Sequence, residues 1–142
     1  MRSIQPLRVA LSGLALAAVA FASSPEPGAP VLDALAEKDP LESGKDFQVF
    51  EVGRDAHTSH HVVWIVDRET PHRHDMHDLL VVMLRGFGTM RLGNETRSVG
   101  PSSILYVPRG TPHAFTNASG ELALAYAVYT PAFDGADRVP VD

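Results

Sequence analysis

The chain contains no cysteine. It can therefore form neither a disulfide framework nor a lipid-modified N-terminal cysteine, and its folding does not depend on the redox state of its compartment. Basic charge is also scarce: 12 Lys and Arg stand against 17 Asp and Glu, for a net charge of −5. Nucleic acid and anionic membrane surfaces both call for a basic face, so this balance argues against both as partners. No internal repeat or low-complexity tract is present, and no segment of helical period is long enough for a bundle. The sequence has no Ser-centred nucleophile elbow, no glycine-rich phosphate loop and no pair of carboxylates spaced for acid–base work. Long apolar runs are absent except at the N-terminus, where Val9–Phe21 falls short of the roughly 20 residues a membrane span needs.

That N-terminal run has the pattern of a secretory signal peptide. Arg2 and Arg8 give a basic start, Val9–Phe21 the apolar centre, and Ala20-Phe21-Ala22 a small-residue cleavage site before Ser23. The expectation is removal of residues 1–22 and a periplasmic or secreted protein with no stable membrane anchor. Cleavage takes two arginines and no acidic residue, moving the net charge from −5 to −7. Residues 23–46 read as a Pro/Gly/Ser linker followed by a short helical spacing at Val31, Leu32, Leu35 and Ala36.

From Phe47 the pattern turns to β. Short segments rich in β-branched and aromatic residues recur at Phe47–Val52, His61–Val66, Leu79–Leu84, Phe87–Leu92, Thr96–Val99, Ser103–Val107, His113–Thr116 and Leu122–Thr130, with turn residues between them. Such spacing implies an all-β barrel or sandwich, set here at residues 47–130, with 131–142 as a polar tail. Leu79–Leu84 is continuously apolar, which predicts burial on both faces. Leu80, Val82, Leu84, Ile104, Leu105, Phe115 and Tyr126 are expected to be core and pocket wall. A domain of this size buries only about 60–70% of its unfolded surface, so a homodimer would help it.

The chemistry concentrates in the histidines. Six of the seven lie between positions 57 and 77. His57 and His60, among Asp55, Thr58 and Ser59, fit surface roles, and His61 can face either way. His72 and His74 differ: two residues apart on a strand, they point to the same face. A third imidazole from a distant strand, His113, would complete a transition-metal site of the kind a β-scaffold builds. Arg73, between the two, points away and is set to pair with Asp75.

These residues lie in two motifs that resemble those of the cupin family. The first cupin motif is His-x-His, three or four residues, Glu, six residues, Gly; here it is carried by His72, His74 and Gly86. The second is Gly, five residues, Pro-x-Gly, two residues, His, three residues, Asn; here Pro108, Gly110, His113 and Asn117 match it. Its opening Gly falls on Ser102, and Gly100 is available for that turn instead. The resemblance implies a cupin-type jelly-roll barrel holding one divalent transition metal (Fe, Mn, Zn, Ni or Cu) and taking a small-molecule ligand or substrate. It implies a metal-dependent dioxygenase, isomerase or lyase, or else a non-catalytic binding module.

The fourth ligand has three readings. The family's Glu falls on Leu79 at the longer spacing and on Asp78 at the shorter. Asp78 reaches the metal if a one-residue bulge precedes Gly86. His77, sharing strand parity with Leu79, is the second reading, and a three-histidine site with open positions is the third. The set taken forward is His72, His74, Asp78 and His113.

Overall fold

The computed structural model describes residues 41 and 43–142; the expected signal peptide, linker and short helical segment lie outside them. Ten strands build the described chain: β1 (Phe47–Arg54), β2 (Ser59–Ile65), β3 (His72–Arg73), β4 (Asp78–Arg85), β5 (Gly88–Leu92), β6 (Glu95–Val99), β7 (Ile104–Val107), β8 (His113–Asn117), β9 (Ala123–Thr130) and β10 (Val139–Pro140). They form two five-stranded antiparallel sheets, ordered β1-β2-β9-β4-β7 and β10-β3-β8-β5-β6. Apart from the β1–β2 and β5–β6 hairpins, successive strands cross between the sheets, so the jelly roll is closed by long-range pairing, and its core is the slot between the two inner faces.

Period-2 patterning explains which side chains fill that slot. On β2, Val63 and Ile65 face in; on β4, Leu79, Val81 and Met83; on β9, Ala123, Ala125, Ala127 and Tyr129. Met90, Val99 and Phe115 answer from the second sheet. Alanines on β9, the middle strand of the first sheet, leave room for the larger residues facing them.

The reading of Leu79–Leu84 as buried on both faces is corrected. Leu79, Val81 and Met83 are buried, but Leu80 and Leu84 are exposed, as are Ile104 and Tyr106 on neighbouring β7. The run is apolar because the outer face of this sheet is itself apolar there, and among the described residues no layer covers it. Of the residues expected to line the core, Leu105 and Phe115 do so; Leu80, Val82, Leu84, Ile104 and Tyr126 have the opposite parity.

Two turns carry the motif signatures. Gly86 has φ of 77°, and a Cβ there would meet Ala123 Cβ at 2.8 Å, so both conformation and space demand glycine. In the second motif Ser102 adopts the left-handed conformation, with φ of 70°. Ser103 N donates to Gly100 O at 2.9 Å, and Pro101 takes the second position of that turn. The turn therefore uses Ser102 in place of the expected glycine, and Gly100 is not its left-handed residue.

The segment after Thr130 does more than coat the barrel. Phe133 packs against the core, and β10 pairs with β3, setting Pro140 opposite His72.

Candidate metal centre

His72 and His113 face each other as a cross-strand pair on β3 and β8. His74 follows two residues after His72, just past the end of β3, and its ring turns to the same site. The rings lie close: centroids are 4.3 Å apart for His72–His113, 5.0 Å for His72–His74 and 5.2 Å for His74–His113. All three are buried, and one ring nitrogen from each lies within 4.8 Å of the others. Nitrogens held at about 2.0–2.1 Å from one ion are at most about 4.2 Å apart, so small ring movements close this set.

Backbone carbonyls fix which nitrogen each ring offers. His72 Nδ1 donates to Thr70 O at 2.9 Å, and His113 Nδ1 donates to Thr111 O at 3.0 Å, each reaching back two residues. His74 Nδ1 donates to the main-chain oxygen of Asp137. Arg138 Nη2 shares the Thr70 carbonyl at 3.4 Å, which brings it to 3.1 Å from His72 Nδ1 as a crowded neighbour rather than a donor to it. With every Nδ1 protonated, the three Nε2 atoms are left as lone-pair donors. His74 Nε2 is buried and has no hydrogen-bond partner among the described residues. A buried polar atom without a partner is costly, and three convergent neutral imidazoles are the donor set of a transition-metal ion. The residues present therefore fit such an ion.

Electrostatics keep the triad neutral. Burial lowers the His72 pKa to about 3, helped by the neighbouring His113 and Arg138. Burial likewise lowers His113 to about 4 and depresses His74. Imidazoles must be deprotonated to bind a metal, and these are ready at neutral pH.

Asp78, expected as the fourth ligand, is not at the site. Its carboxylate faces Arg109, accepting from the main-chain N at 2.9 Å, Nε at 3.2 Å and Nη2 at 2.9 Å. Those bonds hold its carboxyl down to about 2. The reason is parity. Leu79, Val81 and Met83 take the inward face, so Asp78 must take the outward one. A bulge does occur in β4, but the ladder with β9 shifts between Met83 and Arg85, too late to turn Asp78 inward. His77 shares the inward parity and is buried, yet it is not grouped with the triad: its Nδ1 donates to Asp137 Oδ2 at 2.6 Å.

Asp137 has no signal in the sequence, where it stood in a polar tail. Its carboxylate accepts from Asp75 N at 2.9 Å and Met76 N at 2.7 Å as well as from His77. Burial pushes its carboxyl up, but His77 and the two amides outweigh that and hold it low. One residue thus clamps the whole 74–77 loop, and its own carbonyl orients His74. The Pro108-to-Thr111 turn adds a further tie, with Gly110 N donating to His74 O at 2.6 Å. Phe133 and Tyr129 stack at 4.6 Å and stand edge-on to His74, closing that side against water. His61, left open by the sequence, turns inward to Tyr129 and bonds Ser59 Oγ at 2.9 Å. Asn117 anchors the loop after β8, its Nδ2 donating to Val66 O at 2.9 Å and Glu121 O at 2.6 Å.

Beyond the triad lies a cavity of about 40 Å³, lined by His72, His113, Glu69, Tyr129 and apolar core residues. Two strands carrying His-x-His and a lone His onto one inner face of a jelly roll is the arrangement the two motifs encode, and residues 60–129 match the cupin domain family. The chain is a cupin. An uncharacterized protein of Aquifex aeolicus (strain VF5) is 31% identical to it over 100 residues, 70% of this chain and 82% of the relative. Among solved structures, KdgF from Halomonas sp. superposes with a TM-score of 0.60 at 21% identity, covering 66% of this cupin and 87% of that chain. Pac13 from Streptomyces, described as a unique nucleoside dehydratase and also seen with uridine, gives 0.58 at 18% identity, over 68% and 78% of the two chains. A conserved protein with a double-stranded β-helix domain from Klebsiella pneumoniae gives 0.64 at 14% identity, over 75% and 94%. At these identities the likeness is one of fold.

Proposed function

We propose that this cupin binds one divalent transition metal through Nε2 of His72, His74 and His113 and acts on a small organic molecule at the remaining coordination positions. The observation that carries the reading is the buried, partnerless His74 Nε2 aimed between two other neutral imidazoles. With Asp78 and His77 committed elsewhere, the described residues offer three neutral ligands and leave positions open. Iron, manganese, nickel, copper and zinc all suit such a donor set. The chemistry available there is polarisation of a bound oxygen or electron exchange. The protein's share is orientation by Thr70, Thr111 and Asp137, and exclusion of water by Tyr129 and Phe133. Enzymes among the structural neighbours support a small-molecule substrate class without naming this chain's substrate.

A second reading, non-catalytic capture of a metal or small ligand, is favoured by the modest size of the inner cavity. The deciding experiment is elemental analysis of purified protein, followed by turnover assays with the metal found. About one metal per chain is expected, and the His72→Ala, His74→Ala double variant should lose it; full occupancy in that variant would sink the proposal.

The reading extends to export: the basic start, apolar centre and Ala20-Phe21-Ala22 of the N-terminal pattern support a periplasmic or secreted protein. Mass spectrometry of protein from a native host should find Ser23 at the N-terminus, and a membrane-retained full-length chain would refute export with cleavage.

A further inference from the structure

Glu69 has no role in the metal reading and lies in the loop between β2 and β3. The structure puts it in the barrel wall. Its main-chain N donates to Phe115 O at 2.9 Å, and its Oε2 accepts from Phe115 N at 3.1 Å, so both backbone and carboxyl are pinned to β8. It lines the inner cavity together with His72, His113 and Tyr129. It also lines an outer groove of about 590 Å³ with Arg68, Thr70, Arg91 and Thr116. Few side chains border both spaces.

We propose that Glu69 is the proton-exchanging group of this cavity, passing a proton between the solvent groove outside the second sheet and an oxygen of a small molecule bound inside. The inference rests on the reading of the triad as a site for a small ligand. In the acid direction, the Oε–H bond breaks, its electron pair stays on the carboxylate, and the proton forms an O–H bond on the ligand oxygen. Glu69 then recovers a proton from water in the groove.

The surroundings suit a group that alternates between neutral and charged. Part of Glu69 reaches the surface, but its carboxyl group is enclosed, and that enclosure raises its pKa. The Phe115 amide and the charge of Arg138 oppose the rise. The other titratable and charged groups around it are Tyr129 from β9, His72 from β3, His113 from β8, Arg68 from its own loop, and Asp46 and Arg91 along the groove. Burial and the nearness of Glu69 push the Tyr129 phenol up, so Tyr129 stays protonated and cannot serve as a base near neutrality. The two imidazoles are held neutral by burial. Among the described residues lining the cavity, Glu69 is the carboxyl group, and it alone also borders the outer groove.

Glu69→Gln tests this, because the amide oxygen still accepts from Phe115 N and preserves the wall. Difference infrared spectra of the metal-free protein across pH 4 to 8 should show the carbonyl stretch of a neutral, enclosed carboxylic acid, shifting promptly in D₂O and absent from Glu69→Gln. Adding Zn(II) should bleach that band as the nearby dication expels the proton, while zinc uptake stays at the wild-type stoichiometry in Glu69→Gln. A wild-type spectrum without an assignable Glu69 acid band overturns the proposal. A ten-fold or greater loss of zinc affinity in Glu69→Gln also overturns it, by making the residue a ligand. If the wild type takes no zinc at all, the metal reading fails, and the metal-free spectra still decide whether Glu69 holds an exchangeable proton.

Discussion

At the scale of single residues, the triad histidines store an acid sensitivity. In an unfolded chain each imidazole takes up a proton near pH 6.5. In the native chain burial lowers His72 to about 3 and His113 to about 4. Between those limits the unfolded state binds more protons than the native one, so stability is full above about pH 6.5 and drains as pH falls toward 4 and then 3. Calorimetry of metal-free protein should show the melting temperature falling by roughly 10–20 °C from pH 7 to pH 5. His113→Gln, which removes one of these imidazoles, should flatten that slope. A melting temperature that holds or rises on acidification would show that the rings do not stay neutral in the folded protein.

At the scale of elements, β4 shows how much of the site was legible beforehand. The alternation that sets His72 and His74 on one face followed from their spacing, and the second motif marked His113 as the third imidazole; its direct pairing with His72 is a finding of the structure. The same rule decides against Asp78, but applying it needs the register of β4, and a continuous apolar run carries no period to read. Only the burial of Leu79 and the position of the Leu84 bulge settle which way Asp78 points. Asp137 and Glu69 were illegible for another reason: each acts through contacts more than 45 residues away in the chain, with no local pattern to mark it. The register makes a prediction. Asp78→Asn should leave zinc stoichiometry and affinity within about two-fold of wild type, while weakening the tie to Arg109 and so loosening the loop before His113. A large loss of metal affinity by titration calorimetry would show that Asp78 reaches the ion after all.

At the scale of the whole molecule, the first sheet presents two different outer surfaces. Around β2, Val62, Trp64 and Leu124 are buried beneath Leu41, Phe50 and Leu122. Across β4 and β7, Ile104 is 69% exposed and Tyr106 60%, with Leu80 and Leu84 beside them. Contiguous apolar surface of this kind marks association sites more often than bare solvent faces. The homodimer expected from domain size would use this half of the sheet, burying about 800 Å² per partner. Sedimentation at micromolar concentration should give a dimer that Ile104→Lys converts to monomer; a wild-type protein that sediments as a monomer throughout would refute it. The tail after Thr130 has a consequence in time as well as space. His72 lies on a two-residue strand between β8 and β10, and His74 takes its orientation from Asp137. Until that segment docks, a folding chain holds these imidazoles without the contacts that aim them. The proposed metal site is therefore completed late in folding, and a cut between Thr130 and Asp137 would disarm it without touching a ligand.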